Sequence, residues 1–383
     1  MRTILITSPE EMDDHIEQWE ALRGRAGGNA YSCCQLSKVW LETFQASASP
    51  RLVLVEDQGD LVGIAPLATS DFRMKGLALK TLSLVGGIPQ CLRLVTNSIM
   101  YEPGRKDVLE RMIAEMKRLK WSILWTQNME DTADIRTYIG AAHDSWNAED
   151  QTPNVNLTLP IRQEGDITET FSKHARRTLG KTLRMIEREG HHLSFRKVPS
   201  EDMKKAVEVY AEQHIQRWCT RGGSSFLRPR NCEFLAKAST IAHDGCEGFA
   251  YESILDGEVA GQLFGFLDAS NAYMYRLGMN DSLMRFSPGW LVTYHALNDL
   301  RERGTTFTVW GGGEQRYKYE MGCQKSMLVG IQATRGAASM MSNLLRSRPV
   351  QKLNDRFGLQ RKVLAKLSVQ RTELDPSQAD CDM

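Results

Sequence analysis

The fold is decided by the stretch FAYESILDGEVAGQLFGF, which runs from Phe249 to Phe266. Two apolar segments flank Asp256-Gly257, a dipeptide that favours a two-residue β-hairpin turn. The second segment contains the small residue Gly261, which indicates a close backbone approach or a β-bulge within the strand. The stretch therefore predicts a strand, a tight turn and a second strand with a local distortion.

A similar pattern occurs earlier in the chain, in LVLVEDQGDLVGIAPL from Leu52 to Leu67. Two related halves of mixed α and β structure would explain the recurrence, although two unrelated hairpins would also look like this. An alternating strand predicted from Pro153 to Pro160 places the boundary between halves near residue 150. We accordingly expect halves at 1–150 and 151–335 and a basic helical tail at 336–383.

The second half alternates helices with strands. Helical periodicity predicts a long helix from Asp166 to Glu189, closed by Gly190. Further helices are predicted at Ser200–Trp218, Asn231–His243 and Trp290–Arg303. Strands are predicted at Ala272–Gly278, Thr305–Trp310 and Ser326–Ala333. This order predicts an α+β (mixed α/β) fold with mostly antiparallel sheets flanked by helices. The outer face of the long helix is basic, with Lys173, His174, Arg176, Arg177, Lys181, Arg184 and Arg188.

Composition restricts the class of protein. The 383 residues are 42% hydrophobic and 25% charged with a formal net charge of +1. These values argue against disorder, against a protein that coats nucleic acid such as DNA, and against a strongly acidic partner. The sequence shows no secretory signal and no apolar run long enough for a transmembrane segment, so we expect a cytoplasmic protein. Its eight cysteines lack C-x-x-C spacing and are expected to remain thiols. No metal site is predicted.

The most informative local motif is Ser287-Pro288-Gly289 before a predicted helix. The first N–H groups of a helix lack intrahelical partners and face the positive end of its dipole, so they suit a pyrophosphate. Gly289 allows close approach, Pro288 suits a helix start, and Arg285 could supply a countercharge. An ordinary helix cap would have the same sequence, and the motif alone does not separate the two interpretations.

Several ordered motifs carry a family resemblance. They are Phe171–Arg184 (FSKHARRTLGKTLR), Glu187–Gly190, His214–Trp218, Leu255–Gly261, Ser287–Gly289 and Gly313–Lys318. Over roughly residues 165 to 325 they resemble the CelD-like (cellulose biosynthesis) acetyltransferase family of the acyl-CoA N-acyltransferase (GNAT) superfamily. One departure is that the strand before Gly311 reads Thr306–Trp310, without the acidic residue that members often carry there.

The resemblance implies tandem acyl-CoA N-acyltransferase (GNAT-like) domains and acetyl-CoA or another acyl-CoA as co-substrate. In direct acyl transfer an amine or hydroxyl attacks the thioester, so a base and an acid are needed. Glu252 and Tyr317 are the catalytic candidates, with Tyr319 as an alternative to Tyr317 and a sheet-surface role as an alternative for Glu252. His214, Arg217, Trp218 and Lys318 are substrate-binding candidates, although His214 also suits a structural role.

Three functions remain open at this stage. The first is an acyl-CoA-dependent N- or O-acyltransferase that modifies a saccharide or nucleotide-sugar acceptor in cellulose, exopolysaccharide or cell-envelope polysaccharide biosynthesis. The second is a FemAB-like aminoacyl or peptidyl transferase, favoured by the basic helix but not by the near-neutral net charge. The third is a non-catalytic accessory protein that binds in a polysaccharide synthase complex, because a fold alone does not fix a function.

Overall fold

A computed structural model describes residues 1–74, 77–88, 91–219, 223–243, 245–336 and 338–339. Most of the tail predicted at 336–383 lies outside these residues. Contacts within the chain define two compact units. Of the described residues, the N-terminal unit comprises Met1–Asn154 together with those that follow Ser326, and the C-terminal unit comprises Val155–Ser326. Most of the last described strand, Gln324–Thr334, thus belongs to the first unit.

Helices and strands are interspersed throughout the described part of the chain. The helices are α1 (Ile16–Arg25), α2 (Cys34–Thr43), α3 (Lys106–Arg118), α4 (Ala133–Ser145), α5 (Lys173–Arg188), α6 (Met203–Trp218), α7 (Pro229–Ser239), α8 (Pro288–Glu302) and α9 (Arg316–Met321). The strands are β1 (Arg2–Ile6), β2 (Ser49–Pro50), β3 (Leu52–Asp57), β4 (Asp60–Ala65), β5 (Leu67–Met74), β6 (Leu77–Leu84), β7 (Met100–Tyr101), β8 (Ile123–Glu130), β9 (Asn147–Asp150), β10 (Asn154–Pro160), β11 (Leu193–Lys197), β12 (Ala242–His243), β13 (Cys246–Leu255), β14 (Glu258–Leu267), β15 (Asn271–Met279), β16 (Phe307–Val309) and β17 (Gln324–Thr334).

The N-terminal unit contains a small sheet in the order β1-β3-β4-β7 and a run of strands in the order β17-β8-β6-β5-β2. Its strand pairs are antiparallel except β6–β8, which α3 connects as a crossover between parallel strands. The apolar face of α3, including Val108 and Met112, is buried in the core of this unit.

The C-terminal unit contains strands in the order β11-β13-β14-β15-β16-β10. Among its described strands, only β15 and β16 are parallel to each other, and α8 connects them. Helix α8 packs on β13, β14 and β15 and buries Leu291, Val292 and Ala296 in the core. The predicted mixed α+β fold, with mostly antiparallel sheets flanked by helices, is confirmed.

The two hairpins recognised in the sequence have the same local geometry. Both turns have positive φ at their two central residues, at Gln58-Gly59 and at Asp256-Gly257. In β3–β4 the register shifts beside the pair Val55–Gly63, and in β13–β14 it shifts beside the pair Ser253–Gly261. Each hairpin therefore places a β-bulge next to a glycine, the distortion that the small residue predicts.

The long helix predicted from Asp166 to Glu189 is two elements. A 3₁₀ turn at Ile167–Thr170 is closed by a capping box between Asp166 and Glu169. Phe171 is extended, and α5 begins after Ser172, whose hydroxyl accepts a hydrogen bond from the amide of Ala175. Two N-caps within seven residues break the helix although its apolar periodicity continues.

Seven cysteines lie within the described residues of the two units. The cysteines Cys33, Cys34, Cys91, Cys219, Cys232, Cys246 and Cys323 are all thiols. Burial raises the pKa of the Cys323 thiol to about 12. Among the described residues, no helix combines the length and apolarity that crossing a membrane requires.

Candidate active site

The two parallel strands of the C-terminal unit separate after a short pairing. β15 and β16 pair only from Asn271–Phe307 to Tyr273–Val309. β15 continues to Met279, whereas β16 ends at Val309. A register shift between β14 and β15 leaves Tyr275 as an extra residue, and such a bulge bends a strand. The pairing therefore ends at the carboxyl ends of two parallel strands, a position where ligands commonly bind in α/β sheets.

Helix α8 begins beside the carboxyl end of β15. Ser287 has φ of 47°, and its carbonyl accepts a hydrogen bond from the amide of Trp290 at 2.9 Å. Pro288 has no N–H, so Gly289 supplies the first amide of the helix. The first turn contains no acidic side chain. The helix thus starts two residues before the predicted Trp290, and its N-terminus keeps its positive character.

A close backbone contact fixes this helix start. A Cβ atom at Gly261 would lie 2.6 Å from the carbonyl oxygen of Pro288. Only glycine leaves room there, so β14 can approach the first turn of α8. This is the close approach that the sequence indicates for Gly261. At Gly289 a Cβ atom would instead meet the flexible side chain of Met279, with its sulfur at 2.8 Å.

Arg285 lies in the turn before α8 and belongs to a surface network. Its guanidinium is 3.1 Å from the carboxylate of Glu189 and 3.4 Å from Nε2 of His191. His191 also contacts Asp256 through Nδ1 at 2.6 Å. A hydrogen bond from the His192 amide, followed by the one from His191, lowers the pKa of Asp256. Because the Arg285 side chain is 59% exposed, its remaining N–H groups face solvent.

Tyr317 and Lys318 lie on α9, just after the glycine loop that follows β16. The Tyr317 ring packs edge-on against Trp310, with centroids 6.3 Å apart. The Lys318 ammonium donates to the carbonyl oxygens of Trp310 at 2.8 Å and Gly312 at 2.7 Å. A longer hydrogen bond of 3.4 Å reaches Gly313. Lys318 is only 4% exposed, so its charge is directed at the loop rather than at a solvent-facing phosphate or sugar carboxylate.

Glu252 lies inside the sheet. It is 1% exposed and forms an ion pair with Arg196 at 2.7 Å. Its other carboxylate oxygen accepts a hydrogen bond of 2.9 Å from Gln262. The hydrogen bond that Arg196 donates to Glu252 raises the pKa of Arg196. Both carboxylate oxygens are engaged, which gives Glu252 a structural role in holding β11, β13 and β14 together.

The candidates on α6 are packed inside the C-terminal unit. His214 is 5% exposed, and its Nδ1 is 2.7 Å from the hydroxyl of Ser224. Trp218 is also buried, with its ring 6.0 Å from that of His214. Arg217 binds Asp281 at 2.6 Å and thereby braces the turn that leads to α8. Arg217 is thereby linked to the turn that carries Arg285.

The segment Phe171–Ser172 joins the candidates at the start of α8 to those on α9 and was not identified from the sequence. The Phe171 ring packs on Trp290 in the first turn of α8, with centroids 5.5 Å apart. The amide of Ser172 donates a hydrogen bond of 2.6 Å to the carbonyl of Glu320 on α9. Phe171 belongs to the quoted motif, but nothing in the sequence indicates its partner. The segment before α5 thus contacts both α8 and α9.

The outward face of α5 carries a row of cations. Its solvent-exposed basic residues without an ion pair or hydrogen bond to any described residue are Lys173, Arg176, Arg177, Lys181 and Arg184. The opposite face, including Ala175, Leu179 and Ile186, is buried in the core. Across the described ranges, no group of three or more His, Cys, Asp or Glu side chains could hold a metal ion.

Comparison with known proteins supports an acyltransferase domain in this unit. Residues 173–319 match the sequence model of the acetyltransferase (GNAT) domain. This match confirms the predicted superfamily and the prediction of an acyltransferase. The matched domain defines a broader group than the cellulose-associated family that the motifs resemble. No curated protein matches the chain.

Solved structures resemble the chain over both units. FemX has 12% sequence identity and a TM-score of 0.59, covering 86% of this chain and 97% of its own. A conserved protein of unknown function from Bacteroides thetaiotaomicron has 8% identity and a TM-score of 0.54, covering 87% and 100%. The C-terminal domain of a protein named as a lysylphosphatidylglycerol synthetase, from Agrobacterium fabrum, has 9% identity and a TM-score of 0.52, covering 87% and 97%. At these identities the likeness shows the fold alone.

Proposed function

We propose that the chain is an acyl-CoA-dependent N- or O-acyltransferase whose donor binds where β15 leaves β16. The separation of these parallel strands beside the start of α8 is the observation that carries the proposal. The GNAT domain match covers both elements and supports the same chemistry. Acetyl-CoA is the donor we test first.

The first turn of α8 suits the pyrophosphate of the donor. The amide of Gly289 and the helix dipole both favour an anion. Arg285 keeps solvent-facing N–H groups near this turn and could bind a phosphate while still contacting Glu189. The acyl and pantetheine part would then lie along β15 beyond Tyr273, where β16 no longer pairs with it.

The reaction is direct acyl transfer, in which the acceptor attacks the thioester carbon and the thiolate of coenzyme A leaves. We assign the protonation of that thiolate to Tyr317, because its helix follows the loop that leaves β16. Positioning of donor and acceptor would supply much of the rate. Neither acceptor binding nor base catalysis is assigned to Glu252, since burial removes it from contact with substrates.

For the acceptor we propose a saccharide or nucleotide sugar used in cellulose, exopolysaccharide or envelope polysaccharide synthesis in the cytosol. The ordered motifs between residues 165 and 325 are its support. Isothermal titration with acetyl-CoA, longer acyl-CoAs and nucleotide sugars tests donor and acceptor separately. Release of the coenzyme A thiol in the presence of each acceptor then measures transfer.

Gly289→Glu is the variant that tests the donor site. It places a carboxylate at the helix N-terminus, and repulsion of the pyrophosphate should weaken acetyl-CoA binding at least tenfold. Gly289→Ala is the matched control without the charge. Unchanged affinity in a folded Gly289→Glu protein would rule out this turn as the donor site.

A second candidate is a transferase that takes an aminoacyl group from a charged tRNA. The unpaired cations on α5 favour it, because a row of Lys and Arg side chains can neutralise a phosphate backbone. The net charge of the whole chain is only +1, and this near-neutral balance weighs against binding of a tRNA.

Salt-dependent tRNA binding separates the two candidates. If α5 binds the phosphates, Arg176→Gln with Arg177→Gln should reduce the slope of log affinity against log salt by about 1.4 to 1.8. Lys204→Gln with Lys205→Gln removes two charges from α6 that are also exposed and should leave the slope unchanged. Equal slopes for both double variants would exclude α5 as an RNA-binding face.

A further inference from the structure

The loop between β16 and α9 is held from one side by a single buried cation. Its sequence from Trp310 to Glu314 is WGGGE. Lys318, from the following helix, donates hydrogen bonds to three of its carbonyl oxygens, at 2.8, 2.7 and 3.4 Å. Hydrogen bonds from a charged donor are stronger than those between neutral groups. The ammonium therefore fixes the orientation of three peptide units in this loop.

The N–H groups of the same peptide units have a defined direction. In a trans peptide the C=O and N–H bonds point to opposite sides. Because the carbonyls of Trp310, Gly312 and Gly313 face Lys318, the amides of Gly311, Gly313 and Glu314 face away from it. Within the described part of the chain these three amides donate no hydrogen bond.

Glycine is needed to shape this loop. Gly311 has φ of 66° and Gly313 has φ of 86°, a region that favours glycine over other residues. The loop starts directly after Val309, the last residue of β16 that pairs with β15. It therefore begins where the pairing of β15 with β16 ends, and its unpaired amides lie on the side away from the buried ammonium.

We propose that Lys318 is a positioning residue that fixes the Trp310–Glu314 loop with its outward amides ready to stabilise the oxygen of the reacting thioester. This inference rests on the proposed acyl transfer. When the acceptor attacks the carbonyl carbon, its electron pair forms the new bond and negative charge develops on the carbonyl oxygen. As the carbonyl re-forms, the C–S bond breaks, the thiolate takes a proton from the Tyr317 phenol, and the proton that the acceptor loses restores the phenol.

The arrangement suits this task for two physical reasons. Peptide dipoles that are already oriented need no reorganisation when charge develops, and this lowers the barrier. The positive charge of Lys318 behind the carbonyls polarises the same peptide units, which makes their N–H groups better donors. Lys318 would not touch the substrate, since it is 4% exposed and bound to the loop. Its effect passes through the backbone.

The test compares Lys318→Met with Lys325→Met. Methionine keeps the length and apolar stem of lysine but cannot donate to the carbonyls. Lys325 is the matched control because it forms an ion pair with Glu314 on the same loop yet is exposed. Acetyl-CoA turnover is measured as release of the coenzyme A thiol, acetyl-CoA affinity by titration, and exchange of the Gly311–Glu314 amides by hydrogen–deuterium exchange.

We expect Lys318→Met to lower kcat by about 10²-fold or more, the effect of losing one oxyanion donor. Acetyl-CoA affinity should change less than threefold, and the loop amides should exchange faster. Lys325→Met should resemble the parent in turnover and exchange. If Lys318→Met does not fold, Lys318→Arg is used, since it keeps the charge but not the geometry, and the same loss of kcat is expected.

Two results would overturn the inference. One is amide exchange in the folded Lys318 variant equal to that of the parent, which would show that Lys318 does not fix the loop. The other is faster exchange with unchanged kcat, which would leave Lys318 a purely structural residue. Failure of the parent protein to bind or turn over any acyl-CoA would instead reject the proposed function, and this inference with it.

Discussion

Replacing Gly261 by alanine should disturb the proposed donor site through a backbone contact. The new Cβ atom would lie 2.6 Å from the oxygen and 3.0 Å from the carbonyl carbon of Pro288. Neither backbone atom can rotate away as a side chain would, so β14 and the start of α8 must move apart. Overpacking of this kind typically costs about 1–3 kcal/mol of unfolding free energy. In a unit of this size that is a fall in Tm of about 2–4 °C for each kcal/mol.

Binding should suffer as well as stability. If Pro288 and the Gly289 amide move by several tenths of an ångström, the pyrophosphate loses its aligned donor, and acetyl-CoA affinity should fall about tenfold. Chemical denaturation gives the unfolding free energy, and titration calorimetry gives the affinity at a temperature where both proteins are folded.

Two glycine variants serve as controls. Gly289→Ala meets the flexible side chains of Met279 and Leu277 rather than backbone, so it should change stability by less than about 1 kcal/mol. Gly63→Ala would place its Cβ atom 2.6 Å from a methyl carbon of Val108 in the N-terminal unit. It should destabilise that unit without changing acetyl-CoA affinity. A Gly261→Ala protein as stable as the parent would refute the close approach, and a destabilised one with unchanged affinity would separate the helix start from the donor site.

Three further predictions concern side chains around the site. Arg196→Met should lower the unfolding free energy by about 1.5–3 kcal/mol, because it removes a hydrogen bond to a buried charge on Glu252, as denaturant titration can check. Tyr317→Phe should lower kcat with little change in KM. Tyr319→Phe loses only an exposed hydrogen bond to the carboxylate of Glu314 and should leave kcat unchanged. Equal kinetics in the two variants would remove Tyr317 from the mechanism. Ser287→Gly should relieve the strain of the left-handed backbone at this position and raise the unfolding free energy by no more than about 1 kcal/mol. If acetyl-CoA binding became weaker despite that gain, the Ser287 hydroxyl would be assigned a role in binding.

The hairpins were predictable because their signals are local. Asp256-Gly257 specifies a turn with two positive φ values, and both residues have them. Gly261 predicts a distortion that the register shift at Ser253 confirms. In each case the residues that cause the geometry are within a few positions of one another, so sequence alone is sufficient.

The partners of charged side chains could not be predicted in this way. Lys318 has the sequence context of an exposed helix residue, yet it is buried because a glycine loop turns three carbonyls toward it. Glu252 and Arg196 meet only because β11 pairs with β13. Arg217 and Asp281 are likewise joined by the packing of distant elements. Each of these pairings depends on tertiary contacts that leave no periodic pattern in the chain.

The two units share a hairpin and a crossover helix but differ at the start of that helix. In the N-terminal unit Gly63 faces side chains within α3, including Val108. The start of α3 is already occupied by the protein's own charges, because Asp107 lies in its first turn and Arg105 binds both Asp107 and Asp57. An incoming phosphate would meet two carboxylates there.

In the C-terminal unit the corresponding positions are open to an anion. Gly261 faces the backbone of Pro288, so the hairpin supports the helix at its first residue rather than further along. No acidic residue lies in the first turn of α8, and the nearby Arg285 side chain is 59% exposed. The positive end of the helix dipole is therefore left for a ligand to neutralise. Because the two hairpins have the same geometry, this difference in charge at the helix start is what favours the C-terminal unit as the donor site.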